Sequence, residues 1–285
     1  MFLQMMSRPA RRTLFLLSSL CLAAALRAQP VSNSTPVPAF PEPEHFSWTG
    51  KISAGKTLQV RNAFGDIRAR YGGDEGKVEV SAVLQHLTTI APPLKVTIIE
   101  SEKSILITVG YPLPVPAAAE HDGPPPRKDR ADLVVFVPKG TLLDALTQDG
   151  LIEAKGLQSD LVADSGKGNI WARVNGSATA HSERGEIQVF LDPAEKRPQR
   201  LETLTGDLTV HLRDNADLEV SAATSGEIST DFSLTIVRHP HDEPDKRATV
   251  KIGKGAAQLT LASKRGRIRL LWMPAAPKNE SFDND

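Results

Sequence analysis

The stretch "HSERGEIQVFL", from His181 to Leu191, decides the fold because the same plan recurs along the chain. A small polar residue is followed by two spacers, a glycine, one further residue and an isoleucine or leucine. Five stretches match in full: "LQVRNAFGDI" from Leu58, "LDALTQDGLI" from Leu143, "LVADSGKGNI" from Leu161, "ATAHSERGEI" from Ala178 and "LTLASKRGRI" from Leu259. Two further stretches, from Gln199 and Glu219, each depart from the plan at one point.

The spacing of these units predicts a β-solenoid. The corner glycines Gly150, Gly168, Gly185, Gly206 and Gly226 are separated by 18, 17, 21 and 20 residues. Apolar residues alternate with polar ones around each glycine, which is typical of strands, and one short coil can bury its apolar side only against another coil. We therefore expect an all-β fold: a parallel, right-handed β-solenoid or β-helix of about seven to eight short coils.

Each letter of the unit has a physical interpretation. At the corner, glycine permits either a positive φ or a close approach to the next coil. The Ser, Thr or Asn three residues earlier can hydrogen-bond local backbone groups that the corner removes from the strand ladder. Alternation places Ile187, Val189 and Leu191 inside. Ile170, Ile187 and Leu208 should then lie above one another in a shared interior.

The first residues have the features of an export signal. Arg8, Arg11 and Arg12 precede the apolar run from Thr13 to Leu26, and small residues follow it. This pattern is typical of a cleaved signal peptide, which we assign to residues 1–28. The only cysteine, Cys21, lies inside the signal, so the mature chain has no disulfides. We expect an exported protein that is periplasmic, extracellular or at the cell surface.

The remaining chain divides by composition. Residues 29–45 form a Pro-rich leader, and residues 46–274 form the β-strand-repeat domain, with a hairpin-rich cap and the first strands in 46–138 and regular coils in 139–274. Residues 112–130 and 237–247 interrupt the strand rhythm, and we interpret them as surface excursions, the second as an extended hairpin. Residues 275–285 are expected to form a disordered tail.

Charge and composition exclude several classes of partner. The chain has 34 basic and 34 acidic residues, and removal of the four arginines of the signal leaves a net charge of −4. A nucleic-acid-binding protein would carry a basic excess, so none is expected as a partner. After the signal, no apolar run reaches the roughly 20 residues that a membrane helix needs. No cofactor motif is present, since "SGKGN" from Ser165 lacks the phosphate-loop spacing.

The titratable residues favour structural roles. Asp66, Glu186, Asp207 and Glu227 all follow a corner glycine, which is what a repeated structural position produces. The stretch "HPHDE", His239 to Glu243, contains possible metal ligands, but a solvated loop fits it better than a metal site because no distant ligand completes the set. We therefore assign no catalytic and no metal-binding residues.

The repeat register predicts an outer surface of interest. Two outward columns follow from it: Arg68, Glu153, Trp171, Gln188, Thr209, Ser229 and Arg269 in one, and Arg70, Lys155, Arg173, Phe190, His211, Asp231 and Leu271 in the other. Trp171, Arg173, Phe190 and His211 should cluster, and aromatic rings beside cations can stack on sugars or contact a protein partner. Alternatively, a loop such as 112–130 covers and buries these rings.

The chain resembles the bacterial putative-adhesin family of exported β-strand-repeat domains. The resemblance rests on "ADLVVFVPKGTLLDALTQDGLIEAKGL" from Ala131, on the repeated Ser/Thr-x-x-Gly-x-Ile units and on "VKIGKGAAQLTLASKRGRIRLL" from Val250 as the terminal coil. "FSWTGKISAGKTLQVRNAFGDIRA" from Phe46 is similar to the start of that family. The resemblance covers Phe46 to Trp272 and implies the fold and export, without catalytic residues to carry over.

Three functions are compatible with these observations. The first is a non-catalytic, adhesin-like binding or scaffold domain of the cell envelope, with a cell-surface glycan or an envelope protein as partner. The second is a carbohydrate-active β-helix enzyme, a lyase or hydrolase, which would need convergent carboxylates about 5 to 10 Å apart. The third is a periplasmic accessory protein of an envelope-stress system.

Overall fold

A computed structural model describes residues 42–73, 76–86, 93–111, 129–191, 197–213 and 215–273. Within these residues every regular element is a strand, which confirms the all-β prediction. None of the described residues forms a helix that is long and apolar enough to cross a membrane. The expected signal peptide, the leader up to residue 41, loop residues 112–128 and the tail from residue 274 lie outside the described residues.

The described residues form twenty-one strands, labelled in chain order. The first eleven are β1 Glu44–Lys51, β2 Thr57–Phe64, β3 Ile67–Tyr71, β4 Lys77–Gln85, β5 Lys95–Glu100, β6 Ser104–Gly110, β7 Arg130–Val137, β8 Leu142–Asp149, β9 Ile152–Leu157, β10 Leu161–Lys167 and β11 Ile170–Val174. The others are β12 Ala178–Arg184, β13 Ile187–Leu191, β14 Gln199–Thr205, β15 Leu208–Leu212, β16 Leu218–Thr224, β17 Ile228–Thr230, β18 Thr235–Arg238, β19 Lys246–Ile252, β20 Ala257–Ser263 and β21 Ile268–Trp272.

The strands form two large sheets. Sheet A has the order β1-β4-β7-β3-β9-β11-β13-β15-β21-β17, and sheet B has the order β18-β19-β16-β20-β14-β12-β10-β8-β2-β6-β5. Neighbouring strands are parallel through the middle of both sheets. Antiparallel pairs occur toward the ends, as between β1 and β4 or between β18 and β19. The mostly parallel arrangement agrees with the prediction from the repeat.

Each sequence unit builds one strand of each sheet. The residues before the corner glycine form a strand of sheet B, and those after it form the next strand in sheet A. The described chain contains seven such pairs: β2–β3, β8–β9, β10–β11, β12–β13, β14–β15, β16–β17 and β20–β21. We call each pair a coil unit.

The core consists of the inward residues of both sheets. Ile170, Ile187 and Leu208 are direct partners across β11, β13 and β15, and each is at most 1% exposed. The predicted column of stacked aliphatic side chains is therefore confirmed. Sheet B contributes its alternate residues, such as Leu161 and Leu201, to the same apolar cluster. Burial of this shared cluster is the main favourable term that holds the two sheets together.

The corner glycines are required by a close approach between neighbouring coil units. A Cβ added to Gly185 would lie less than 3.0 Å from the carbonyl oxygen of Gly168, and one added to Gly168 would collide in the same way with Gly150. Of the two structural reasons that the sequence left open, the close approach is therefore common to the series. Positive φ is an additional requirement at Gly168, whose φ is 147°.

The small polar residues make hydrogen bonds between coil units. Ser165 Oγ donates to the carbonyl of Gly150 at 3.1 Å, and Ser182 Oγ donates to that of Gly168 at 3.1 Å. The remaining positions repeat this bond in Thr147, Thr203, Thr224 and Ser263. The expected local backbone bonds are present at two of these positions, where Thr224 Oγ1 and Ser263 Oγ accept from the backbone N–H of Gly226 and Gly266 at 2.8 Å. The bonds to the carbonyl of the neighbouring unit were not expected. The acceptor in each bond is the buried carbonyl of the corner glycine in the neighbouring unit. The close approach of the two corners leaves this carbonyl without a backbone donor, and the hydroxyl supplies one.

The coil units do not stack in chain order at either end. The unit β20–β21 lies between β14–β15 and β16–β17, so the expected terminal coil is wrong in its position. The unit β2–β3 lies between β6 and β7 on one side and β8–β9 on the other. The repeat specifies which side chains face inward but does not specify the neighbour, since all units present similar edges. The predicted hairpin is present: β18 pairs antiparallel with β19.

Candidate functional site

The four candidate residues lie on three adjacent strands of sheet A. Trp171 and Arg173 are on β11, Phe190 is on β13 and His211 is on β15. The strand register pairs Arg173 with Phe190, and Phe190 with His211, as the outward columns predicted. Their immediate neighbours in sequence are buried, so the alternation directs these four side chains away from the core. We call Trp171, Phe190 and His211 the aromatic row.

The rings of the aromatic row contact one another, and those of Phe190 and His211 are stacked. The ring centroids of Phe190 and His211 are 4.3 Å apart with an interplanar angle of 5°, and those of Trp171 and Phe190 are 5.3 Å apart at 47°. The Arg173 guanidinium lies 4.9 Å from the Phe190 centroid, and Lys155 Nζ lies 5.5 Å from the Trp171 ring. Cations at such distances are attracted by the ring quadrupole.

This stacking changes the interpretation of the surface. Arg173 and His211 both contact the ring of Phe190, so its faces serve the internal stack. Trp171, Phe190 and His211 are all half-buried, which lies between the exposed and the covered rings that the sequence left open. The loop that could cover them, residues 112–128, lies outside the described residues. Trp171 also lines an open groove.

The groove beside Trp171 has a volume of about 480 Å³. Its walls combine one indole with hydrogen-bonding and charged side chains: Leu151, Glu153, Lys155, Asn169, Ile170, Trp171, Glu186 and Gln188 line it. We call it the Trp171 groove. An apolar ring beside carboxylate and carboxamide groups is suited to a ligand that has both C–H faces and hydroxyl groups.

The charges in the groove are ordered by a network around Glu153. Its carboxylate pairs with Lys155 and, at 3.2 Å, with Arg70. Burial raises the pKa of Glu153, but the hydrogen bonds from Lys155 and Arg70 outweigh this effect, and the net pKa lies below its usual value. Glu153 therefore stays ionised near neutral pH and serves as a fixed acceptor rather than as a proton donor.

His211 is the titratable member of the aromatic row. Its Nε2 lies 3.1 Å from Nε2 of Gln188, and its Nδ1 is buried without a hydrogen-bond partner in the described part of the chain. Burial, and secondarily the charge of Arg173, lower the pKa of His211. Both effects favour the neutral imidazole, which can stack on Phe190 while Arg173 contacts the same ring.

The carboxylates at the corners are engaged in structural contacts. Asp66 Oδ1 accepts a hydrogen bond from the backbone N–H of Leu151 at 3.0 Å, and Asp207 Oδ1 accepts one from that of Arg267 at 2.8 Å. Asp66 also pairs with Arg130 at 2.7 Å. Asn169 occupies the same position, and its Oδ1 accepts from the backbone N–H of Glu186 at 2.9 Å. These side chains connect adjacent coil units at the row of corners.

The residues at the tip of the β18–β19 hairpin are spread over an exposed segment. His241, Asp242 and Glu243 are exposed, and Asp242 pairs with Arg247 at 2.8 Å. Glu243 lies 3.5 Å from Arg265. Among the described residues, no group of three or more His, Cys, Asp or Glu side chains has the arrangement of a metal site.

The sequence identified part of this site. The outward columns contained Glu153, Lys155 and Gln188 together with the aromatic row, and the structure places all of them on one face. Glu186 was assigned only to a corner position and Asn169 was given no role, yet the side chains of both line the groove. Their position one residue before the inward isoleucine is the signal that could have identified them.

Solved structures with a similar chain path include several named as adhesins. The protein matches a putative cell adhesion protein from Clostridium sporogenes with 10% identity and a TM-score of 0.49, over 81% of this chain and 100% of the other. It matches a putative adhesin from Bacteroides fragilis with 12% identity and a TM-score of 0.30, over 81% and 97% of the chains. A putative lipid binding protein from Parabacteroides distasonis matches with 9% identity and a TM-score of 0.27, over 79% and 96%.

No family model and no curated protein matches the chain.

Proposed function

We propose that the protein is a non-catalytic, exported, adhesin-like binding domain of the bacterial cell envelope, and that the Trp171 groove binds a cell-surface glycan. The observation that carries this proposal is the composition of the groove: one indole is surrounded by carboxamide and carboxylate groups on the outer face of sheet A. Sugars present apolar C–H faces to aromatic rings and hydroxyl groups to such side chains. The rows of corner hydrogen bonds hold these groups on a regular scaffold.

Binding is favoured over glycan cleavage by the state of the carboxylates. Glycoside hydrolysis needs one carboxylic acid whose raised pKa keeps it protonated. Glu153 has a lowered pKa because Lys155 and Arg70 hydrogen-bond to its ionised form. The Asp66 and Asp207 carboxylates are engaged by backbone N–H groups of the neighbouring unit. These contacts support a passive recognition surface.

A glycan array followed by calorimetric titration tests the proposed function. The mature protein is expected to bind a subset of surface polysaccharides. Trp171→Ala should weaken that binding at least fivefold, because loss of an aromatic ring that contacts the ligand costs about 1 kcal/mol or more. Tyr71→Ala is the control, since Tyr71 is an aromatic residue of sheet A that lies outside the groove. Absence of glycan binding, or equal binding by Trp171→Ala, would contradict the proposal.

We also infer that the two sheets are successive faces of one right-handed solenoid. This architecture is supported by seven coil units, each of which has a strand of sheet B followed by a strand of sheet A and pairs in parallel with neighbouring units. Duplication of residues 161–177, one coil unit with its connection, should then extend each sheet by one strand. The expected product is folded and longer by about 4.8 Å in small-angle scattering. An insoluble or unfolded product, under conditions in which the native protein is folded, would argue against a solenoid of repeated coil units.

Export is proposed from residues 1–28. Expression of the full chain in a Gram-negative host, followed by fractionation and mass spectrometry, should yield a periplasmic or released product that begins at Gln29. Replacement of Leu16 and Leu17 by arginine should retain the protein in the cytoplasm, because the apolar run would be interrupted. Retention of the native protein with an intact N-terminus would contradict this assignment.

A further inference from the structure

The two sheets end unequally at the end of the stack that contains β17. Sheet A stops at β17, which is only Ile228–Thr230. Sheet B continues beyond the matching strand β16 with β19 and then β18. In the described part of the chain, these two strands therefore face no strand of sheet A. The edge of β17 lies beside this overhanging hairpin.

The free edge of β17 presents backbone groups for another strand. The carbonyl of Glu227 accepts from Ile268 N–H at 2.8 Å, and Asp231 N–H donates to the carbonyl of Leu270 at 3.1 Å. The N–H and C=O of a strand residue point the same way and alternate along the chain. Ile228 and Thr230 therefore direct their backbone groups away from β21, and no described strand pairs with that side.

A groove of about 600 Å³ lies at this edge. The two sheets both contribute to its lining, which consists of Gly226, Glu227, Ile228, Ile236, Arg238 and Lys246. Ile236 is 45% exposed, although it is paired in register with the buried Ala248 and so lies on the core side of sheet B. An apolar residue left exposed on the inner face of a sheet is typical of a surface that a partner covers.

The charges around this groove favour an acidic partner. Arg238 and Lys246 are paired across β18 and β19, which places two cations side by side at the groove. Lys246 Nζ donates to the carbonyl of Ser225 at 3.1 Å and so is held over the start of β17. Glu227 is the one acidic side chain of the lining, and it pairs with Arg267 at 3.7 Å.

We propose that this open end binds an extended acidic segment of a partner protein, which adds as a strand to the free edge of β17. Its backbone pairs with Ile228. On the face that the added strand turns toward sheet B, an apolar side chain contacts Ile228 and Ile236, and a carboxylate two residues along faces Arg238 and Lys246, because Ile236 and Arg238 lie two residues apart on one face of β18. Strand addition of this kind takes its affinity from main-chain hydrogen bonds and its selectivity from alternate side chains. This surface is separate from the Trp171 groove and shares no lining residue with it.

The test uses fluorescein-labelled synthetic octapeptides and fluorescence anisotropy with the mature protein. An octapeptide of two Val-Thr-Glu-Thr repeats, the Val-Glu peptide, has valine and glutamate on one face and is expected to bind. An octapeptide of two Val-Thr-Lys-Thr repeats, the Val-Lys peptide, and a Val-Glu peptide with a central proline are expected to bind at least tenfold more weakly. Ile228→Pro removes the free N–H without touching the bonds to β21, and it should reduce binding of the Val-Glu peptide at least tenfold. The matched variant Ile228→Val should bind within twofold of the native protein.

Three further results decide the proposal. Arg238→Glu should weaken binding of the Val-Glu peptide and strengthen binding of the Val-Lys peptide. Circular dichroism should show that Arg238→Glu and Ile228→Pro are both folded. Trp171→Ala should bind the peptide normally, which keeps this test independent of the proposed glycan site. Equal binding of all peptides, or native affinity in Ile228→Pro, would overturn the proposal. Tighter peptide binding after truncation at Met273, or dimerisation that Ile228→Pro abolishes, would also overturn it, since the occupant would then be this chain itself.

Discussion

Gly185 illustrates how a single residue sets the distance between coil units. Its Cα lies so close to the carbonyl of Gly168 that an added Cβ has no room, although its φ is outside the left-handed region. Three residues before Gly185, Ser182 Oγ donates a hydrogen bond to the same carbonyl at 3.1 Å. The glycine and the serine are therefore two parts of one contact, in which the close approach leaves a buried carbonyl and the hydroxyl satisfies it.

Gly185→Ala is expected to destabilise the protein by about 1 to 3 kcal/mol, because the neighbouring backbone must move to admit the methyl group. Gly110→Ala is the control, since Gly110 has open space around its Cα and no positive φ. Urea unfolding of the two variants and of the native mature protein gives the free energy of unfolding for each. A free energy of unfolding for Gly185→Ala equal to that of Gly110→Ala would show that the corner can relax at no cost.

Ser165→Ala removes the hydroxyl that donates to Gly150 and leaves a buried carbonyl unsatisfied. We expect a loss of about 1 to 3 kcal/mol in the free energy of unfolding. Thr179→Ala, at an exposed position of the same sheet, should change it by less than about 0.5 kcal/mol. Similar effects of the two substitutions would remove the inter-unit hydrogen bond from the account of stability.

His211 makes stability depend on pH in a defined direction. Burial first, and Arg173 second, lower its pKa in the folded protein below the ordinary value of 6.5. As the pH falls below about 6.5, the unfolded chain takes up this proton before the folded protein does. The stability contributed by the neutral ring is therefore complete above that pH and is lost as the pH falls through the folded pKa.

His211→Phe keeps a ring on Phe190 and cannot titrate. Thermal melts from pH 7.5 to pH 5.0 should show the native protein losing stability relative to this variant. NMR titration should place the His211 pKa below its usual value, and Arg173→Met should raise it. A native protein and variant with parallel pH profiles would contradict the assignment.

At the scale of the strand, position in the sheet determines exposure of the backbone. The middle strands β11 and β13 have parallel neighbours on both sides, whereas β18 pairs on one side only and all its residues are exposed. Backbone amides whose hydrogen bonds are buried open only in larger unfolding events. Edge strands therefore have lower local stability than central ones.

Hydrogen exchange measured by mass spectrometry should reflect this order. Peptides from β11 and β13 are expected to be the most protected, with exchange at least a hundredfold slower than in β18, since a difference of about 2.7 kcal/mol in opening free energy corresponds to that factor. Uniform protection across these strands would show that the sheets open as a single unit.

The strand-scale features that the sequence predicted are those repeated in every coil unit. Alternation around each glycine identified inward Ile187 and outward Phe190, and the constant register then brought Trp171, Phe190 and His211 together. The placement of β20–β21 could not be predicted, because a similar pattern in each unit makes all neighbours equivalent. The stacking of Arg173 and His211 on Phe190 also escaped prediction, because side-chain rotamers depend on packing that alternation does not encode.

At the scale of the whole molecule, one apolar cluster runs through the stack. It includes residues from β2 near one end, such as Leu58, and from β21 near the other, such as Leu270. Both sheets contribute residues to this cluster, so loss of one pair of strands exposes apolar residues of the neighbouring strands. Cooperative unfolding follows from this continuity.

The three tryptophans test this cooperativity. Trp48 lies on β1, Trp171 on β11 and Trp272 on β21, so they report on both ends and the middle. Variants that retain one tryptophan each, with phenylalanine at the other two positions, should unfold in urea with midpoints that agree within about 0.3 M at an m-value of 1 to 3 kcal/mol per M. An earlier transition at Trp48 or Trp272 would show that the ends unfold separately.

The insertion of β20–β21 between two earlier units has a consequence for biosynthesis. A nascent chain can dock each unit on the previous one only as far as β15. β16 can pair with β19, but β20 and β21, which join β16 and β17 to the rest of the two sheets, have not yet been translated. β20 and β21 leave the ribosome last and insert between strands that were made earlier. The sheets therefore cannot be completed strand by strand from the N-terminus. A protein truncated before Ala257 should therefore have a protease-sensitive β16–β17 segment, even though it contains every residue of that segment.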